Sequence, residues 1–174
     1  MDRFFLKGGV AASALVLAAC ANAGGARHSA QGGDAVAHVG APAPMWSEAT
    51  AQGSRFDSAS LNGKVAYLNF FATWCPPCNE EAPAIDALQR QYGARGLQVV
   101  GIDVLENARK AGEFQREHGL TYPIVVDDGT LRGRYAVNGL PVHVFIDRQG
   151  VVRSVVVGEI SVRDMRANVL RLLR

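Results

Sequence analysis

Two cysteines separated by two prolines, Cys75-Pro76-Pro77-Cys78, are the residues of this chain best suited to covalent chemistry. They follow an apolar run, Val65-Ala66-Tyr67-Leu68-Asn69-Phe70-Phe71, and precede a stretch with helical character. Positions i and i+3 of a helix lie one turn apart, which brings the two sulfurs within reach of each other. Such a pair can carry two electrons: one thiolate attacks a partner's disulfide and the second thiol completes the exchange. Closing so short a loop removes little entropy from the unfolded chain, so stabilisation is a poor reason for the pair. Chemistry is the better one.

The thiolate is the reactive form, and a free cysteine with a pKa of about 8.5 is mostly protonated at neutral pH. A helix starting near Pro76 sets unpaired N–H groups and the positive end of its dipole against Cys75. Cys75 is therefore expected to be the attacking, more exposed thiol, and Cys78 the shielded resolving thiol one turn inside. Pro76 suits the first turn, where a missing N–H costs nothing. Pro77 removes another donor near the sulfurs, which should alter thiolate stabilisation.

The elements that must hold this pair alternate in type. Residues 44–57 suggest a short hairpin or irregular lead-in, and Leu61-Asn62-Gly63-Lys64 a turn. A strand over 65–71 is followed by a helix from about 76 to 92, ended by Gly93. Leu97–Leu105 is a second apolar strand and Ala108–His118 a second helix, stopped by Gly119. A short strand at Pro123–Val126 precedes a small helix around 129–136. Val142–Asp147 and Val151–Val157 form a hairpin turning at Arg148-Gln149-Gly150. Ser161 caps a last amphipathic helix with Val162, Met165, Val169, Leu170 and Leu173 inward. The order predicts an α/β sandwich with a mixed central sheet flanked by helices and an N-terminal β extension.

Over most of residues 40–174 the chain resembles the thioredoxin fold, specifically the TlpA/ResA-like branch of exported thiol-disulfide oxidoreductases. The resemblance is carried by Asn69-Phe70-Phe71-Ala72-Thr73-Trp74-Cys75-Pro76-Pro77-Cys78-Asn79-Glu80-Glu81-Ala82-Pro83, by Gly119-Leu120-Thr121-Tyr122-Pro123, by Gly139-Leu140-Pro141 and by Asp147-Arg148-Gln149-Gly150. It implies that the redox-active disulfide Cys75–Cys78 is the working group, with no other cofactor. It implies that Glu81 lies near the disulfide and influences thiol acidity. Thioredoxin has a buried aspartate where this chain has Asn69, which cannot move protons, so the proton-handling task falls to Glu81; Glu80 is expected to be solvated. Pro141 would be a cis-proline facing the disulfide and presenting the Leu140 backbone to a bound peptide. Trp74, Pro76 and Pro77 would complete the substrate surface, with Trp74 packed beside the disulfide and limiting access to Cys78. Cys75, Cys78 and His143 together invite a copper reading. Thioredoxin-like copper chaperones space their cysteines by three residues, however, so no metal is expected and His143 is taken as a strand histidine near the core.

Cys20, the remaining cysteine, ends an N-terminal stretch with Arg3 and Lys7 ahead of an apolar segment from Val10 to Ala19. That segment is too short to span a bilayer, which needs about 20 residues. Leu17-Ala18-Ala19-Cys20 resembles the lipobox of bacterial lipoproteins, implying a signal peptide over residues 1–19 and a lipid on Cys20. Residues 20–40, small, polar and glycine-rich, form an expected tether, and 41–174 one thioredoxin-like domain. Removing residues 1–19 leaves 16 basic and 15 acidic side chains, a net charge of +1. That charge gives no electrostatic basis for binding nucleic acid.

These features predict a lipid-anchored thiol-disulfide oxidoreductase in the bacterial cell envelope, on the periplasmic or extracytoplasmic side. Its expected partners are protein disulfides, apocytochrome c foremost, and a membrane electron-transfer reductant. An oxidant of folding exported proteins, or a copper-binding or redox-gated module, would use the same residues.

Overall fold

The computed structural model describes residues Val36–Arg174. The expected signal peptide, Cys20 and most of the expected tether lie outside the described residues. Residues 37–40, expected to close the tether, are instead bound to the domain. The Ala37 N–H donates to the Arg134 carbonyl at 2.7 Å, and the Gly40 N–H to that of Val152 at 2.8 Å.

Among the described residues, seven strands and four α-helices follow one another as β1 Ser47–Ala49, β2 Arg55–Asp57, β3 Val65–Phe71, α1 Pro76–Tyr92, β4 Leu97–Val104, α2 Ala108–Glu117, β5 Ile124–Asp127, α3 Thr130–Arg134, β6 Val142–Ile146, β7 Val152–Val157 and α4 Val162–Leu172. Strands β3 to β7 form one sheet in the order β5-β4-β3-β6-β7. β3 pairs in parallel with β4, and β4 with β5. β3 with β6 and β6 with β7 are antiparallel. The mixed sheet matches the expectation.

β3 is central, and all seven of its residues are buried, as an apolar run covered on both faces requires. Alternate side chains enter two cores. Val65, Tyr67 and Phe71 join the core that contains α1, α2 and α4 residues such as Ile85, Phe114 and Met165. Ala66, Leu68 and Phe70 join the opposite core, with Leu131, Tyr135 and Trp46. The N-terminal extension protects the sheet edges. The β1–β2 hairpin reaches β5 through a Thr50–Val125 bridge, and Pro42 bridges to Val151 next to β7.

Two details differ from expectation. Gly93 keeps right-handed dihedrals and continues into a 3-10 turn, Gly93–Arg95; the left-handed residue that ends it is Gly96, φ 97°. Val162, expected inside, is 52% exposed, because it occupies the first position of α4, before the helix turns onto the core; Met165 and Val169 are fully buried.

Candidate active site

The sheet register gathers the site at one end. Phe71 closes β3 there, and Val142 pairs with Phe70, so Pro141 arrives beside the end of β3. Val157 pairs with Val142, placing Gly158 and Ile160 at the same end. Val104 and Asp127 close β4 and β5 together. Clefts beyond the carboxyl ends of parallel strands are where α/β sheets bind and react.

Cys75 and Cys78 are joined as a disulfide with Cα atoms 5.3 Å apart. Cys75 is the N-cap of α1 and makes no side-chain capping bond. The Asn79 N–H is taken by the Cys75 carbonyl at 3.2 Å. Pro76 and Pro77 carry no N–H, so of the first-turn donors only the Cys78 amide stays free to face a sulfur.

Both cysteines are equally buried, each 3% exposed; Cys75 is not the more exposed residue that its position predicts. Access differs all the same, since Cys75 lines a groove of about 510 Å³ and Cys78 does not. Trp74 stands beside Cys75 at the groove. It is 68% exposed and forms a wall of that groove with Pro76, Pro77, Leu105, Arg132 and Leu140. The Leu140–Pro141 peptide bond is cis, and the Pro141 carbonyl accepts from the Gly158 N–H at 2.8 Å.

Glu81 is buried, 9% exposed, whereas Glu80 is exposed. One Glu81 oxygen accepts from the Ile160 N–H at 2.7 Å. Burial raises its pKa above the usual carboxylate value, with Glu159 and Glu80 adding to the rise and the Ile160 N–H opposing it. Asn69 and His143 are register partners under α1. His143 is fully buried and hydrogen-bonded to Tyr67 at 2.8 Å, and burial lowers its pKa to about 4. Among the described residues, no group of three His, Cys, Asp or Glu side chains is arranged to hold a metal ion.

Several site residues were not foreseen. Glu106 accepts from the Thr73 N–H at 2.6 Å and its hydroxyl at 2.9 Å, fixing the loop that leads into Cys75. Asn79 holds the same loop, donating to the carbonyls of Thr73 and Cys75 at 3.0 and 2.8 Å. Among the described residues, Arg132 is the one charged side chain lining the groove, and its Nε donates to the Val137 carbonyl at 3.1 Å. Leu105 holds φ 58° and Ala136 φ 50°, unfavourable for residues with a Cβ and typical of functional edges. For Glu106 and Arg132 the available signal was position: both follow closely on the carboxyl ends of parallel strands.

A mixed sheet with a buried disulfide at a helix N-terminus, beside a cis-proline and an open apolar groove, defines a thioredoxin-fold thiol-disulfide oxidoreductase. The chain belongs to the AhpC/TSA family, which matches residues 39–155. It is 32% identical over 122 residues to thiol-disulfide oxidoreductase ResA of Bacillus cereus, covering 70% of each chain. To the thioredoxin-like protein YneN of Bacillus subtilis it is 32% identical over 129 residues, 72% of this chain and 75% of that one. Among solved structures, a thiol:disulfide interchange protein of the thioredoxin family from Chlorobium tepidum TLS superposes with a TM-score of 0.72 at 35% identity, covering 79% of this chain and 99% of that chain. A secreted Mycobacterium tuberculosis disulfide oxidoreductase homologous to E. coli DsbE gives a TM-score of 0.68 at 30% identity, covering 73% and 96%.

Proposed function

We propose that this oxidoreductase acts as a reductant of protein disulfides outside the cytoplasm, tethered to a membrane through a lipid on Cys20. The observation that carries the direction is the proline pair. A thiolate on Cys75 is stabilised by first-turn N–H donors, and Pro76 and Pro77 remove two of them. A less stabilised thiolate disfavours the dithiol form, and a disfavoured dithiol is a better electron donor.

In the exchange, the Cys75 thiolate attacks one sulfur of a substrate disulfide; a new S–S bond forms and the other substrate sulfur leaves with the bonding pair. The Cys78 thiol then gives its proton to Glu81 and attacks Cys75 Sγ. The mixed disulfide breaks, its electrons leave on the substrate sulfur, and that sulfur takes up a proton. The Cys75 thiolate and Cys78 thiol have become the Cys75–Cys78 disulfide, and the substrate has gained two electrons; its first-released sulfur takes a proton from water, so that both substrate sulfurs end as thiols. A membrane electron-transfer protein returns the chain to its dithiol form. Trp74, Pro76, Pro77 and the Leu140 backbone before Pro141 hold the substrate segment along the groove. The substrate we favour is apocytochrome c, whose haem-attachment cysteines must be reduced before ligation. The resemblance to the TlpA/ResA-like branch and the Leu17-Ala18-Ala19-Cys20 motif support this reading of substrate and location.

Insulin reduction driven by dithiothreitol tests the chemistry, and a glutathione redox titration tests the direction. Wild type should reduce insulin and Cys75→Ser should not, with a potential at or below thioredoxin's value of about −270 mV. Equal inactivity of the two proteins while the wild-type thiols cycle would end the reductase reading. A potential well above that value would favour an oxidant of folding proteins.

A further inference from the structure

One oxygen of Glu81 has no partner. Oε1 accepts from the Ile160 N–H, but Oε2 is buried with no hydrogen bond. It lies 3.3 Å from His143 Nε2. A buried carboxylate oxygen without a donor carries a large desolvation cost, so what stands next to it controls its charge.

His143 is prepared from its other side. The Tyr67 hydroxyl is 2.8 Å from His143 Nδ1, and Asn69 Nδ2 is 3.3 Å from the same nitrogen. An amide nitrogen only donates, so Nδ1 is the acceptor, and the Tyr67 hydroxyl donates to it as well. The ring proton then resides on Nε2. Nε2 faces two acceptors: the Gly158 carbonyl at 3.2 Å and Glu81 Oε2 at 3.3 Å. In this oxidised form the N–H is directed at Gly158, leaving Oε2 unpaired. The contact is not an ion pair, because burial keeps His143 neutral down to about pH 4.

We propose that His143, held as its Nε2–H tautomer by Tyr67 and Asn69, is a positioning residue for disulfide exchange that donates to Glu81 Oε2 whenever Glu81 is ionised. The inference rests on the reading that Glu81 receives the Cys78 proton. As the carboxylate forms, the Nε2–H turns from the Gly158 carbonyl to Oε2, where a full negative charge competes better than a neutral carbonyl. That bond lowers the Glu81 pKa and offsets part of what burial adds to it. The other groups acting on it are Glu80 from α1 and Glu159 from the β7–α4 segment, which both favour its neutral form, and the Ile160 N–H, which favours its charged form. Tyr67 from β3 is itself neutral, since burial, and then Glu81, raise its pKa well above the ordinary value. No cation acts on Glu81 among the described residues.

Carbon-13 NMR titration of the Glu81 carboxyl in the full oxidised chain reads the effect directly. His143→Leu should raise the midpoint by about one pH unit or more. Tyr67→Phe should raise it less, because Nδ1 then keeps only Asn69, and His143→Gln, which retains a donor near Nε2, should stay close to wild type. Unchanged midpoints in His143→Leu and Tyr67→Phe overturn the proposal; if His143→Leu fails to fold, Tyr67→Phe decides. A second readout is the pH profile for release of glutathione from its mixed disulfide with Cys75. Its acidic limb should move with the Glu81 midpoint, and the His143 and Tyr67 effects should vanish in a Glu81→Gln background. A profile that Glu81→Gln leaves unchanged sinks the Glu81 reading, while the NMR midpoints still judge the His143 coupling.

Discussion

Asp103 lies fully buried near the end of β4, and no protein donor reaches either of its oxygens. The carboxylate of Glu106 acts on it, and of two neighbouring carboxyls one favours keeping its proton. Burial first, and Glu106 second, push Asp103 up to about 8. Burial also acts to raise Glu106, but the donors from Thr73 and Lys110 outweigh it and hold Glu106 below its usual value. Asp103 thus carries the proton and Glu106 the charge that fastens Thr73. The folded chain keeps a proton that the unfolded chain releases above about pH 4, so stability falls as pH rises from about 4 to about 8. Asp103→Asn keeps the side chain's size and polarity without the titration. Denaturant midpoints should shift increasingly in the variant's favour across that window; identical pH dependence in the two proteins would contradict the assignment.

At the scale of elements, close packing of the parallel strands limits what the site-bearing end of the sheet can tolerate. Gly101 of β4 pairs with Asn69 and with Ile124. A Cβ there would lie 3.1 Å from both Ile124 and Phe71 and 3.2 Å from Tyr122. All three are buried, 2% exposed or less, so none can give way cheaply. Gly101→Ala should cost about 1–3 kcal/mol in equilibrium unfolding; a neutral substitution would show that β4 and its neighbours pack more loosely than described.

The elements themselves were largely legible in the sequence. β3 is a continuous apolar run, α1 begins at a proline and keeps its apolar spacing, and the β6–β7 hairpin turns at Asp147-Arg148-Gln149-Gly150, where Asp147 accepts from the Gln149 and Val151 N–H groups. Cys75, Cys78 and Glu81 were legible because their spacing lies within one helix. Tyr67, Asn69 and His143 were not legible as a cluster, since meeting under Glu81 depends on the register of β3 with β6, 74 positions apart for Asn69 and His143. Glu106 was invisible for a similar reason: its partner Thr73 is 33 residues away. The exposure of Trp74 was not legible, because only the side-chain direction decides whether an aromatic beside a disulfide is buried or walls a groove.

For the whole molecule, the strand order matters most. Three parallel strands end together, and the antiparallel β6 begins at that same end, so the disulfide, the cis-proline, Glu81 and the groove converge without long loops. The described part of the N-terminal extension covers sheet edges, and among the described residues none of it lines the groove. Everything rests on Cys75 being the sulfur that meets substrate and Cys78 the one that releases it. The most direct measurement is intact-mass spectrometry, without reductant, of the reduced Cys78→Ala variant mixed with insulin. A persistent covalent adduct through Cys75 is predicted, absent when Cys75 is also replaced by Ala. No adduct, or an adduct that survives loss of Cys75, would contradict it.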